Sequence, residues 1–265
     1  ERVLKENSQD IEYQIQYLRK ALEFSPTNAE TLFELGQSYI KEKSVGKSKG
    51  DRDKSYELAK NFFQEALICK PTDGKHYARY AWHLGYGGET NKAIECFEKA
   101  INLGITNAYV HRLYAMWCVN QVKIKINFKY ASQFVGMYKN EQRKAQILKS
   151  YDNRFVNGVS ITAILKKAQM EWDKVFALRT NWEHQASSVI ASWYQGAYNS
   201  LADLSLMKCE IDEAINNYGW AHNKIMLAKC YYIKEDYNKT VSVLGSIIRG
   251  GGTSFQKNKR KSKRD

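Results

Sequence analysis

Three residues return at a fixed interval in this chain. Ala59, Phe63 and Ala66 are followed 34 residues later by Ala93, Phe97 and Ala100. Residues three and four apart are neighbours on a helix, so each set forms one stripe of a helical face. Alanine lets a partner helix approach closely, and phenylalanine fills the gap beside it. Ahead of the first set stands Leu32-x-x-Leu35-Gly36-x-x-Tyr39, and Pro71 follows it. Proline cannot continue a helix and pushes Lys70 out of the α region. A helix pair built this way leaves an apolar face that only another pair can cover, so the interval predicts stacked helical hairpins.

The ordered series, Leu-Gly-x-x-Tyr in one helix, Ala and Phe four apart in the next, then Pro, resembles the tetratricopeptide repeat, a 34-residue helix-turn-helix unit. The resemblance implies an all-α fold, a right-handed superhelical solenoid of hairpins with an irregular helical middle. It also implies a non-catalytic scaffold or adaptor whose concave groove, lined by the first helix of each unit, takes a peptide or a helix. The groove positions of the family map onto Phe33, Gln37 and Ile40; Lys75, Ala78 and Trp82; Tyr109, Arg112, Met116 and Val119; then Asn199, Asp203, Lys229 and Tyr232. Of these, Lys75, Trp82, Tyr109, Arg112, Met116, Asn199, Asp203, Lys229 and Tyr232 form the expected partner-binding set. Trp, Tyr and Arg are the residue types that dominate binding energy at interfaces. Modules of this family that clamp a chaperone's terminal carboxylate need Lys and Asn where this chain has Phe33 and Gln37, or Ala78 and Trp82, so that clamp is not supported.

Along the chain, residues 1–28 read as a partial repeat, with Ala21 and Pro26 spaced like Ala66 and Pro71. Residues 29–120 form the regular array, interrupted by a basic insertion at 41–54 that reads as a surface loop. Residues 121–193 lose the motif but keep helical periodicity, and read as degenerate repeats or a helical insert. Gly158 reads as a break, and Thr180-x-x-Glu183 as a capping box. Hairpins return at 194–249, with one unit shortened. Gly250–Gly252 reads as a hinge, and the remainder to 265 as a disordered basic tail.

Two prolines among 265 residues favour helix throughout, and 18 Tyr with six Trp supply ample apolar area. No apolar run reaches the roughly 18 residues of a membrane helix. The net charge of +13 fits an acidic partner or nucleic acid. Interleaved Lys123, Lys125, Phe128, Lys129 and Tyr130 make nucleic-acid binding through stacking and phosphate contacts a second alternative. Five cysteines, an odd number with no C-x-x-C pair, favour a reducing, cytoplasmic setting. The chain starts at Glu1 without a secretory-type segment and reads as a fragment or a processed chain.

Catalytic and cofactor motifs are missing from the sequence. There is no H-E-x-x-H, EF-hand, P-loop or G-x-S-x-G pattern. Gly85-Tyr86-Gly87-Gly88 reads as a turn, not a phosphate cradle. His76 and His83, seven apart, read as packing or solvent-facing residues, not as metal ligands. The chain is therefore expected not to be an enzyme and to need no cofactor. The run from Asn107 to Ala115 also looks like repeat domains attached to bacterial O-antigen and exopolysaccharide polymerases or ligases. That resemblance implies an alternative setting as an extracytoplasmic module of a membrane protein in polysaccharide assembly.

Overall fold

The computed structural model describes residues 2–43, 48–128, 132–178 and 187–261. The Thr180-x-x-Glu183 box, Lys129, Tyr130 and residues 262–265 lie outside the described residues. Twelve α-helices account for nearly all of what is described, with one two-stranded hairpin. The chain divides into two compact units, at Tyr114 and Ala115.

In the first unit, α1 (Arg2–Phe24) packs on α2 (Ala29–Lys43). α2 pairs with α3 (Lys49–Cys69), and α4 (Gly74–Tyr86) with α5 (Thr90–Leu103). The alanine stripes lie in these two interfaces: Ala59, Ala66, Ala93 and Ala100 are fully buried, with Phe63 and Phe97 beside them. Gly36 shows how near the helices come, since a Cβ there would sit 3.0 Å from the Phe63 ring and 3.2 Å from the Ala59 carbonyl oxygen. Lys70 leaves the helix at φ −138°, as the proline after it requires. Gly88, at φ +84°, turns the chain out of α4, and the Glu89 amide donates back to the Leu84 carbonyl at 3.0 Å, a left-handed helix stop. Glu89 then ties the hairpins together, accepting from Lys60 at 2.6 Å, Lys92 at 2.8 Å and the Tyr56 hydroxyl at 3.1 Å. Lys60 above all, then Lys92, bring its carboxyl down to about 2 against the opposing effect of burial. The basic insertion is shorter than the sequence suggests, because Ser48 caps α3 and the helix already includes Gly50–Lys54.

α6 (Ala108–Lys125) begins in the first unit, where Tyr114 stacks on Phe97 at 4.7 Å, and ends in the second. The second unit continues with α7 (Glu141–Asp152) and α8 (Ile161–Ala177). Between them β1 (Phe155–Val156) pairs with β2 (Val159–Ser160). Asn157 and Gly158 both have positive φ, +49° and +81°, which is what a two-residue hairpin turn demands. The expected break at Gly158 is therefore a tight β-turn.

Next come α9 (Ser187–Met207), α10 (Ile211–Trp220), α11 (Lys224–Ile233) and α12 (Tyr237–Lys261). α10 and α11 have ten residues each. α9, α10 and α11 end on left-handed Cys209, His222 and Glu235, the position Gly88 takes after α4. α12 runs straight through Gly250–Gly252, where the sequence reading places a hinge.

Eight helix starts are set by short polar side chains, whereas α5 and α10 begin at Glu89 and Glu210 without a side-chain cap. Asn28, Ser48, Asp73, Asn107, Asn140, Ser160, Asn223 and Asp236 each accept a backbone amide of the following first turn.

Candidate partner-binding site

The first helices α2, α4 and α6 border a cleft of about 520 Å³ within the first unit. α2 contributes Glu30, Glu34 and Gln37, α4 contributes Lys75, His76 and Arg79, and α6 contributes Tyr109. One wall is a closed ionic network. Lys70 Nζ bridges Glu30 at 3.1 Å and Asp73 at 2.9 Å. Asp73 also caps α4 by accepting from the Lys75 and His76 amides. His76 Nε2 lies 3.3 Å from Glu30. The Lys70 hydrogen bond holds the Glu30 carboxyl below its ordinary value. Burial raises Asp73, but Lys70 and His76 outweigh it and leave that carboxyl low as well.

Among the described residues, Glu30, Asp73 and His76 place possible metal-ligand atoms within 4.8 Å of one another. The Lys70 ammonium already lies against both carboxylates, so the cluster serves as an ion-paired brace between α2 and α4.

The other wall is aromatic and cationic. The guanidinium carbons of Arg79 and Arg112 each lie 5.7 Å from the Tyr109 ring centroid, within cation–π range. Burial raises the Tyr109 hydroxyl against the pull of both arginines, and burial lowers Arg112. Lys75 is exposed at the rim. The lining contains no serine or cysteine that could act as a nucleophile.

The sequence-expected positions separate as follows. Lys75 and Tyr109 line the cleft and Arg112 flanks Tyr109. Trp82 is half-buried against Tyr86, at 5.8 Å, and is not part of the lining. Met116 is half-buried on α6, in the second unit. Asn199 accepts from Asn223 at 2.8 Å, Lys229 is half-buried, and Tyr232 is exposed with its ring edge toward Tyr237. Asp203 is 7% exposed and takes hydrogen bonds from Lys123 and the Tyr218 hydroxyl. Its burial raises its carboxyl despite those two partners.

Ala78 and Val119 need correction, since both are buried, whereas Phe33 is buried and still lines the cleft. Phe33 stacks on His76 at 4.1 Å and packs on Phe63 at 5.2 Å. The sequence mapping passed over Arg79 because it took the neighbouring Ala78. A spacing of four from Lys75, not three, reaches the cleft. His76 and His83, both buried, do pack: His83 stacks on Tyr56 at 4.4 Å.

In the basic–aromatic stretch, Phe128 is buried edge-on to Phe134 at 5.9 Å, and Lys123 is paired with Asp203. Cys69, Cys96, Cys118, Cys209 and Cys230 are all free thiols. Among the described residues no helix is long and apolar enough to cross a membrane.

Comparison with known proteins gives a fold and no more. No family model matches the chain, and no curated protein matches it. Among solved structures it is similar to BtubC (BKLC) from P. vanneervenii, with a TM-score of 0.55 and 14% identity over 95% of this chain and 92% of that one. The likeness supports a helical repeat-like fold.

Proposed function

We propose that the chain is a tetratricopeptide-type superhelical array acting as a non-catalytic scaffold, and that it binds an extended peptide or helix in the cleft of its first unit. The observation that supports this reading is the convergence of Lys75, Arg79 and Tyr109, from two successive first helices, on one open cleft. Tyrosine and arginine held in place by each other present large contact area with little ordering cost. The repeat period and the alanine interfaces support the family reading.

The test is selection of twelve-residue peptides from a displayed library on the purified chain, followed by binding to Arg79→Glu and Tyr109→Ala. Each substitution is expected to weaken selected peptides by tenfold or more, about 1.4 kcal/mol, with helicity and Tm retained. Peptides that bind both variants as well as the parent would sink the proposal.

A further inference from the structure

A second opening lies in the part of the chain where the repeat motif lapses. α7 and α8 border a slot of about 490 Å³. Its walls are mostly apolar, formed by Leu148 and Tyr151 from α7 and Leu165 from α8. Leu148 is 40% exposed there. Pockets of some 300–1,000 Å³ with apolar walls and a few placed polar groups are the usual form of small-molecule sites.

The rim is charged, with more cationic than anionic groups. Lys149, Lys166 and Lys208 stand around the opening, and Asp152 is the acidic residue among the lining groups. Asp152 is engaged by the Thr162 hydroxyl at 2.7 Å. Lys208 is matched by Glu210 at 3.0 Å and donates to Gln169 at 3.1 Å. Lys149 and Lys166 form no ion pair among the described residues. An apolar slot edged by two uncompensated ammonium groups on long aliphatic stems complements a molecule with an apolar body and one anionic end.

The geometry points to a binding site for a small single-chain amphiphilic anion, of the medium-chain carboxylate type, with its chain along Leu148, Tyr151 and Leu165 and its head at Lys149 and Lys166. The site is separate from the peptide cleft and does not depend on that reading.

Calorimetric titration of the whole chain below micellar concentrations tests it, with decanoate, decanol, decyltrimethylammonium and acetate as probes. Decanoate is expected to bind saturably at one site. Decanol should bind more weakly, and the cationic amphiphile and acetate should give no saturable signal. The exposed double substitution Lys149→Glu with Lys166→Glu should weaken decanoate on the order of tenfold or more and leave decanol unchanged. Leu148→Glu should weaken both. Amide NMR shifts on adding decanoate should centre on α7 and α8. The inference falls if decanoate does not bind, if the cationic probe binds equally well, if the double variant binds decanoate unchanged, or if the shifts centre elsewhere.

Discussion

The α4–α5 hairpin and the α7–α8 hairpin have the same number of helices and opposite packing. In the first, alanines at the interface draw the helices together, and the space beside them is filled by Phe97. In the second, Ile147 and Tyr151 on α7 and Ile161, Leu165, Trp172 and Val175 on α8 are buried, with Ala168 the one buried alanine. Bulky side chains on both helices, joined by a β-turn, hold the backbones apart and leave the slot beside them. Small residues thus make a unit that can be repeated, whereas large ones make a unit with an interior of its own. The first kind lies where the 34-residue sequence period holds and the second where it lapses.

Breaking the second unit's polar core should give the largest effect. Asp203→Ala leaves the buried Tyr218 hydroxyl and the Lys123 ammonium without their acceptor, and should cost about 3 kcal/mol in urea unfolding. Asp203→Asn can still accept from Tyr218 and should cost less. Equal losses would mean that only the charge matters.

The packing contrast itself can be tested by adding bulk on each side. Ala66→Leu, at the closed α2–α3 interface, should destabilise by about 1–3 kcal/mol, while Leu148→Phe, facing the open slot, should be neutral within about 0.5 kcal/mol. Comparable losses would show the two interfaces to be equally full.

The smallest effect concerns two carboxylates displaced in opposite directions. The folded state holds Glu89 down at about 2, below its ordinary 4.5. Its contribution is therefore present above pH 4.5 and is lost as pH falls toward 2. Burial raises Asp203 above its ordinary 3.8, so its contribution has the other sign, present below 3.8 and lost as pH rises through the folded value. In acid titrations followed by circular dichroism, Glu89→Gln should flatten the loss of stability between pH 4.5 and 2. An unchanged acid limb would mean that Lys60 and Lys92 leave Glu89 unperturbed.

How much of this could be read from residues alone varied along the chain for identifiable reasons. α2 to α5 were legible because Ala, Phe, Leu-Gly and Pro each answer a local steric demand at a fixed spacing. The helix ends at Cys209, His222 and Glu235 were harder to see, since ordinary residues occupy left-handed backbone that usually advertises itself as glycine. Gly250–Gly252 misled in the reverse direction: each glycine disfavours a helix by about 1 kcal/mol, yet α12 continues. In the cleft, Lys75 and Tyr109 were found and Arg79 was missed by one position. The bracing of Glu30 by Lys70 links residues forty apart, beyond the reach of a helical period. The α7–α8 slot left no motif because it arises from bulk on two facing helices.

The Lys123–Asp203 pairing also bears on the order of assembly. Its partners are 80 residues apart in sequence, and the Tyr218 hydroxyl on α10 meets the same carboxylate. Stacked hairpins can form one after another from either end, because each touches only its neighbours. A cross-link of this span closes a long loop before it returns any stabilisation. The second unit's polar core therefore returns its stabilisation only once α6, α9 and α10 are brought together.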